Sequence, residues 1–180
     1  MADDLELILA GCRRGDRAAQ RELYDRFCRT VYRLAARLAG AHEAADLTQE
    51  VFLRVFATLH QFRGEARFAT WLYRVAVNEC LRHLRGRPPR PDPLAAEPAC
   101  PAAGPERVVE QADLLERALA GLDAPLRAVF LLREVEELSY QEIAAVLGIP
   151  VGTVASQLRR ARAQLQGFLR RVEQGHPDAL

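Results

Sequence analysis

The sequence predicts an all-α protein of two small helical domains joined by a proline-rich flexible linker. Three observations carry that reading. Apolar residues recur at three- and four-residue spacing along most of the chain, and no run shows the strict alternation of a strand. Residues 87–107 hold seven prolines and little apolar periodicity. Proline removes amide donors and breaks helices, so this stretch reads as an extended linker. Finally, 180 residues with 49% hydrophobic content can fill two modest cores. The predicted domains are 1–86 and 108–174, with a short tail at 175–180.

The elements follow in order. Asp4–Gly11 predicts a short helix. Asp16–Leu38 predicts a long one, with Leu23, Phe27, Val31, Leu34 and Leu38 as its buried stripe. Beyond a break at Gly40, Glu43–Phe62 predicts a third helix, in which Leu47, Val51, Val55 and Leu59 face the core. The loop Arg63–Arg67 leads to a helix over Phe68–Arg85. In the second domain Val108–Leu122 is followed by Asp123, a suitable N-cap. Pro125 sits in the next first turn, where its missing amide costs little, and Leu126–Glu136 continues that helix.

Ser139 to Arg162, SYQEIAAVLGIPVGTVASQLRRAR, is the most informative stretch. Ser139 and Glu142 have capping-box spacing. Ile143, Val146 and Leu147 form one apolar face. Gly148 stands where a left-handed C-terminal residue is needed. Ile149-Pro150 closes a turn, and Val151–Arg162 predicts a second helix. Val154, Leu158 and Ala161 look inward, while Thr153, Ser156, Gln157, Arg159, Arg160 and Arg162 lie on polar faces. A helix-turn-helix of this kind fits a DNA major groove. A plain helical hairpin with a solvated basic face fits the same pattern.

Charge narrows the choice. The net charge is +1, and all 25 basic residues are arginine. Five of them fall between positions 159 and 171. Local basic patches on a near-neutral chain suggest positioned contacts rather than indiscriminate binding to polyanions. The N-terminus begins with acids and has no long apolar core, so it is no secretory signal. No run approaches the ~18 apolar residues of a membrane span, and the expected location is the cytoplasm, with no membrane insertion. Cys12, Cys28, Cys80 and Cys100 form no C-x-x-C pair, and the four histidines have no zinc-ligand spacing. Cys80 and His83 share a helical face and make at most half a metal site. No metal or other cofactor is expected. No nucleophile, base and acid converge, so no enzyme activity is expected either.

Two further segments of the first domain carry information. On the third helix Asp46, Gln49, Glu50 and Leu53 form an acidic-polar face with an exposed leucine, suited to a basic helical partner. A solvated surface explains the same face. Next, Phe62, Phe68, Trp71 and Tyr73 interleave with Arg63, Arg67, Arg74, Arg82, Arg85 and Arg87. Rings stack on unpaired bases and guanidinium groups hold phosphates. The loop around Gly64 fits the wall of a pocket for a flipped base. Core spacing assigns some of these rings, Phe68 among them, to packing.

Asp46-Leu-Thr-Gln49-Glu50-Val-Phe52, then Thr70-Trp71-Leu72-Tyr73-Arg74-Val-Ala-Val-Asn78, then Gly152-Thr153-Val154 resemble the bacterial extracytoplasmic-function (ECF) sigma factors. The resemblance runs from about residue 5 to 172, in the family's order. It implies a region 2 domain at 1–86 and a region 4 domain at 108–174. It implies that Asp46, Gln49, Glu50 and Leu53 bind the clamp helices of core RNA polymerase, with region 4 meeting the flap. Phe62, Arg63, Gly64, Phe68, Trp71, Tyr73, Arg74 and Asn78 would read the single-stranded non-template -10 element as it opens. Pro150, Val151, Gly152 and Thr153 would lie near the backbone of the -35 element, where the helix N-terminus favours phosphate. Ser156, Gln157, Arg159 and Arg160 would lie toward its bases or phosphates. An anti-sigma factor is a further implied partner.

One departure stands out. Members often carry a basic residue on each side of the position matching Ser156, where this chain has Ala155 and Gln157. That implies weaker or retuned -35 contacts, with Gln157 suited to adenine. The alternative to the sigma reading is a stand-alone helix-turn-helix regulator, which leaves the arginine-aromatic loop and the Asp46–Leu53 face unexplained.

Overall fold

The computed structural model describes residues 2–86 and 114–174. Its first four helices are α1 (Ala2–Arg13), α2 (Arg17–Ala39), α3 (Ala41–Thr58) and α4 (Phe68–Arg85). Residues 114–120 belong to α5. Then come α6 (Ala124–Glu134), α7 (Tyr140–Leu147) and α8 (Val151–Glu173). Among the described residues there is no strand. They fall into two units that divide between His83 and Leu84. The predicted linker, the start of the fifth helix and the tail lie outside the described residues.

In the first unit the predicted stripes are buried. Leu23, Val31, Leu34 and Leu38 of α2 and Leu47, Val51 and Val55 of α3 are all buried, and the two helices pack on each other. Phe27, placed in the same stripe, is only half-buried and meets Phe68 edge-on at 5.3 Å. Asp16 caps α2 by accepting from the Ala18 amide at 2.8 Å. The helix α1 is longer than Asp4–Gly11, because Cys12 continues the buried face of Ile8 and Leu9. The helix α3 begins at Ala41 and ends at Thr58 rather than Phe62. The Thr58 hydroxyl donates to the Arg54 carbonyl at 2.7 Å. That back-bond loosens the last α turn, and the chain tightens into a 3-10 turn over Leu59–Gln61.

The second unit carries the predicted helix-turn-helix. Ser139 and Glu142 form the full capping box: the Glu142 amide donates to Ser139 Oγ at 3.2 Å, and the Ser139 amide donates to Glu142 Oε2 at 2.9 Å. Gly148 ends α7 with φ 67°, a left-handed value that any side chain would strain. The helix α8 runs on to Glu173 rather than stopping at Arg162, because Leu165 and Phe168 continue the stripe of Val154, Leu158 and Ala161. The helix α6 covers Ala124–Glu134 rather than Leu126–Glu136. Asp123 flanks it without a side-chain cap bond, and Pro125 lies in its first turn as expected. Past its end Glu137 takes a positive φ of 56°.

Arg127 fixes the turn between α5 and α6. It donates through Nη2 to the carbonyls of Ala120 (2.7 Å) and Leu122 (3.0 Å). Burial pulls its pKa below the usual arginine value. The guanidinium thus serves orphan carbonyls at a helix end.

The helices α1 and α2 come close together at Gly11 and Ala19. A Cβ on Gly11 would stand 2.6 Å from Ala19 Cβ. Gly11→Ala therefore loses ~1–2 kcal/mol net, since overpacking outweighs the gain in helix propensity. The double variant Gly11→Ala with Ala19→Gly moves the methyl across the contact and recovers most of the loss. Urea unfolding of the two proteins reads both effects.

Candidate nucleic-acid interface

Three surfaces carry the residues singled out by sequence. On α3, Asp46, Gln49 and Glu50 are exposed, and Leu53 is 71% exposed. The opposite face of the same helix is buried, which leaves the polar face at the surface. An isolated leucine this exposed beside two carboxylates suits a small apolar anchor ringed by charge.

The second surface is the loop at 63–67. Arg63, Gly64, Glu65, Ala66 and Arg67 are all exposed. Beneath them lies a cluster of rings. Phe62 is 5.5 Å from Phe68 and 5.6 Å from Trp71, and Phe68 is 5.7 Å from Trp71. Edge and tilted contacts at these distances add attraction beyond simple burial. Phe68 and Trp71 are 5% and 7% exposed. Both belong to the core, so in this conformation neither offers a face to a base. They form the floor on which the loop stands, and half-buried Phe62 is the ring at its edge. Arg13 of α1 donates to the Phe62 carbonyl at 2.9 Å and ties the loop's entry. The Trp71 amide donates to the Arg67 carbonyl at 3.2 Å and ties its exit. Beyond the loop, Arg74 and Asn78 are exposed one turn apart on α4, and Tyr73 is half-buried.

The third surface is the start of α8. Pro150, Val151 and Gly152 are exposed, and Thr153 is half-buried. A Cβ on Gly152 would meet nothing within 4 Å. Internal packing therefore does not require the glycine. Ser156, Arg159 and Arg160 are exposed, and Ser156 Oγ donates to the Thr153 carbonyl at 2.9 Å. Gln157 is half-buried, and its Oε1 is buried with no hydrogen-bond partner. Arg162 does not join the outward row. Its Nη2 and Nε donate to Glu134 Oε1 on α6 at 2.5 and 3.2 Å, a bridge from α8 to α6.

Sequence reasoning missed the supports of these surfaces. Arg13 and Phe62 are far apart in the chain, as are Glu134 and Arg162, and no local pattern announces either pair. Glu79 and Arg82 were missed as well, although their three-residue spacing on α4 is a local signal that could have found them. The half metal site drawn from Cys80 and His83 does not form. Cys80 is fully buried, and His83 turns to Glu43, 3.1 Å from Nε2 to Oε2. Among the described residues no group of three metal-ligating side chains is arranged to hold an ion. No described helix is long and apolar enough to cross a membrane.

Known proteins complete the picture. The sigma-70 region 2 family matches residues 23–88, and the sigma-70 region 4 family matches residues 112–165. The ECF RNA polymerase sigma-E factor of Escherichia coli (strain K12) is 34% identical over 171 residues, covering 87% of this chain and 90% of that one. The RNA polymerase sigma-H factor of Pseudomonas aeruginosa (strain PAO1) is 36% identical over 171 residues, covering 87% and 89%. Among solved structures, CnrH in complex with the cytosolic domain of CnrY matches with TM-score 0.68 at 25% identity, covering 91% of this chain and 96% of that one. The sigma factor RpoE of Bartonella quintana, solved with the anti-sigma factor NepR, shares the fold with TM-score 0.67 at 24% identity, covering 83% and 96%. The two matched regions define a sigma factor of the sigma-70 family. Within it, the chain belongs to the ECF group of RNA polymerase sigma factors.

Burial sets the chemistry of the cysteines. Desolvation first, then the charge of Glu79, pushes the Cys80 thiol up to about 12 from an ordinary 9.0. Cys12 is raised by the same main cause. In the native chain at pH 8, iodoacetamide should leave both unmodified, and both should react on unfolding; mass spectrometry of the digested protein checks this. Rapid native labelling of Cys80 contradicts it. The unfolded chain loses its Cys80 proton first, so this contribution to stability is complete below pH 9. It falls as pH rises toward about 12.

Proposed function

We propose that this ECF sigma factor binds core RNA polymerase through the α3 face and reads its promoter at two separate surfaces. The observation that carries this reading is the tethered loop at 63–67. An exposed arginine-glycine loop, fixed at both ends over aromatic rings, is poorly explained as packing and well explained as a receptor for an unpaired base. Residues 1–86 are read as region 2, 87–107 as the linker and 108–174 as region 4.

Asp46, Gln49, Glu50 and Leu53 would dock on the clamp helices of the polymerase. Arg63, Gly64, Arg74 and Asn78, with Phe62 and Tyr73 at the margin, would hold the non-template -10 strand. Phe68 and Trp71 would act by fixing the loop. A base taken from the stack there makes recognition and melting one event. Pro150 to Thr153 would approach the -35 backbone at the positive end of α8. Ser156, Gln157, Arg159 and Arg160 would face the groove. The open space at Gly152 fits close approach of a phosphate. The polymerase supplies the chemistry and this chain supplies position, so no catalytic residue is assigned. Work of this kind would be done in the cytoplasm. The solved relatives held by CnrY and NepR support an anti-sigma factor as a further partner.

Run-off transcription with purified core polymerase on a promoter library tests the reading. Initiation that depends on this chain, at a shared -35/-10 pattern, is expected. Duplex binding by the chain alone, with no initiation, would favour the stand-alone regulator. Two finer outcomes are expected in -35 binding. Arg159→Gln and Arg160→Gln should each reduce the salt slope by about one if the arginine meets a phosphate. Gly152→Leu should keep or raise the melting temperature, because leucine is the better helix former. It should nonetheless weaken -35 affinity by about tenfold or more, the size of one lost close contact.

A further inference from the structure

Between α3 and α4 lies a four-residue ionic network with no part in the reading so far. Glu79 on α4 is only 9% exposed. Arg82 meets it with two donors, Nε at 2.9 Å and Nη2 at 2.5 Å, both to Oε2. Arg54 of α3 stands 3.7 Å from the other carboxylate oxygen. The same Nη2 of Arg82 is 3.6 Å from Glu50 Oε2. Glu50 belongs to the α3 face proposed for polymerase. Arg82 follows Arg74 and Asn78 at four-residue steps along α4, on the stripe proposed for promoter DNA.

We propose that Arg82 competes with RNA polymerase for Glu50, and that polymerase binding releases Arg82 toward the promoter backbone. The inference rests on the α3 face being the polymerase-binding face.

The two arms of the network differ in strength. A buried carboxylate left without a cation is costly, so Glu79 keeps Arg82 nearby. The arm to Glu50 is different. Its side chains are 66% and 49% exposed, and its separation is long for a charge-assisted bond. Exposed pairs of this kind are weak and break readily. A basic helix arriving at Glu50 must displace the guanidinium and also meets its positive charge. Once Glu50 is taken, Arg82 stays on Glu79, and the second Nη2 hydrogen, the one that faced Glu50, can turn to a phosphate beside Asn78. By linkage, DNA that takes Arg82 must strengthen polymerase binding by the same factor that polymerase strengthens DNA binding. The contact thereby biases the chain against tight polymerase binding away from a promoter.

The test is a titration of fluorescently labelled full chain with core polymerase. Arg82→Gln should bind ~2–5-fold tighter than the parent, the range of an exposed ion pair. In a Glu50→Gln background the same change should have no effect. A single-stranded -10 oligonucleotide at saturation should tighten core binding of the parent, and less so of Arg82→Gln. Equal or weaker binding by Arg82→Gln overturns the proposal, as does an undiminished gain in the Glu50→Gln background, which would mean a general charge effect. Because Arg82→Gln leaves Glu79 with only the distant Arg54, Glu79→Gln with Arg82→Gln is the companion variant. It removes the buried charge along with its partner and should show the same gain. If Glu50→Gln and Leu53→Ala both keep the parent's core affinity, the polymerase-face reading itself fails, and this proposal with it. If they weaken binding and Arg82→Gln brings no gain, only this proposal fails.

Discussion

A loop can present arginines and open backbone to a partner only if its ends are held. Here the holding is done by the packing of Phe27, Phe62, Phe68 and Trp71, drawn from α2, the end of the 3-10 turn and the start of α4. The same rings that sequence suggests for stacking on bases are mostly spent on this packing. That is a division of labour between neighbouring residues: buried rings set the position, and exposed residues at 63–67 are left for the proposed contact. Functional residues on loops positioned by a rigid scaffold follow the same logic. Arg13 extends it to α1, whose close contact with α2 at Gly11 and Ala19 thereby bears on a loop far along the chain.

The second unit solves a related problem with polar chemistry. A recognition helix must be held at a fixed angle while one face stays bare. The capping box starts α7, left-handed Gly148 stops it, and the Glu134–Arg162 pair ties α8 back to α6. Arg162 therefore works for the scaffold, while Arg159 and Arg160 stay exposed on the face proposed to meet the groove. Ala155 and Gln157 leave the middle of that face short of cations. Gln157 also turns its oxygen inward without a partner. That oxygen has no partner within the fold, and in the proposed -35 contact the amide would serve an adenine edge.

Much of this was legible in the sequence because the signals are local. Capping boxes, left-handed glycines and apolar stripes act within one or two turns, so Ser139, Glu142, Gly148 and the Leu47–Val51–Val55 row could be placed from spacing alone. The bare face at Asp46, Gln49, Glu50 and Leu53 follows by exclusion once that row is buried. Helix ends were less legible. The end of α3 depends on a hydroxyl back-bond at Thr58, and the length of α8 on whether Leu165 and Phe168 find a core. The ties from Arg13 to Phe62 and from Arg162 to Glu134 join residues distant in sequence, and no periodicity encodes them. Phe68 and Trp71 lay between these cases. Their spacing allowed both stacking and packing, and only the burial of the finished fold decides for packing.

In the proposed function the tethered loop captures an unpaired non-template base. The direct measurement places 2-aminopurine in the non-template strand of the -10 element and follows its fluorescence as this chain and core polymerase are added. A rise with both proteins present is expected. Phe62→Ala, verified as folded by its melting curve, should lose most of that rise while still binding the -35 duplex. A rise of the parent's size with Phe62→Ala, or with the 63–67 loop replaced by serines, would contradict base capture at this loop.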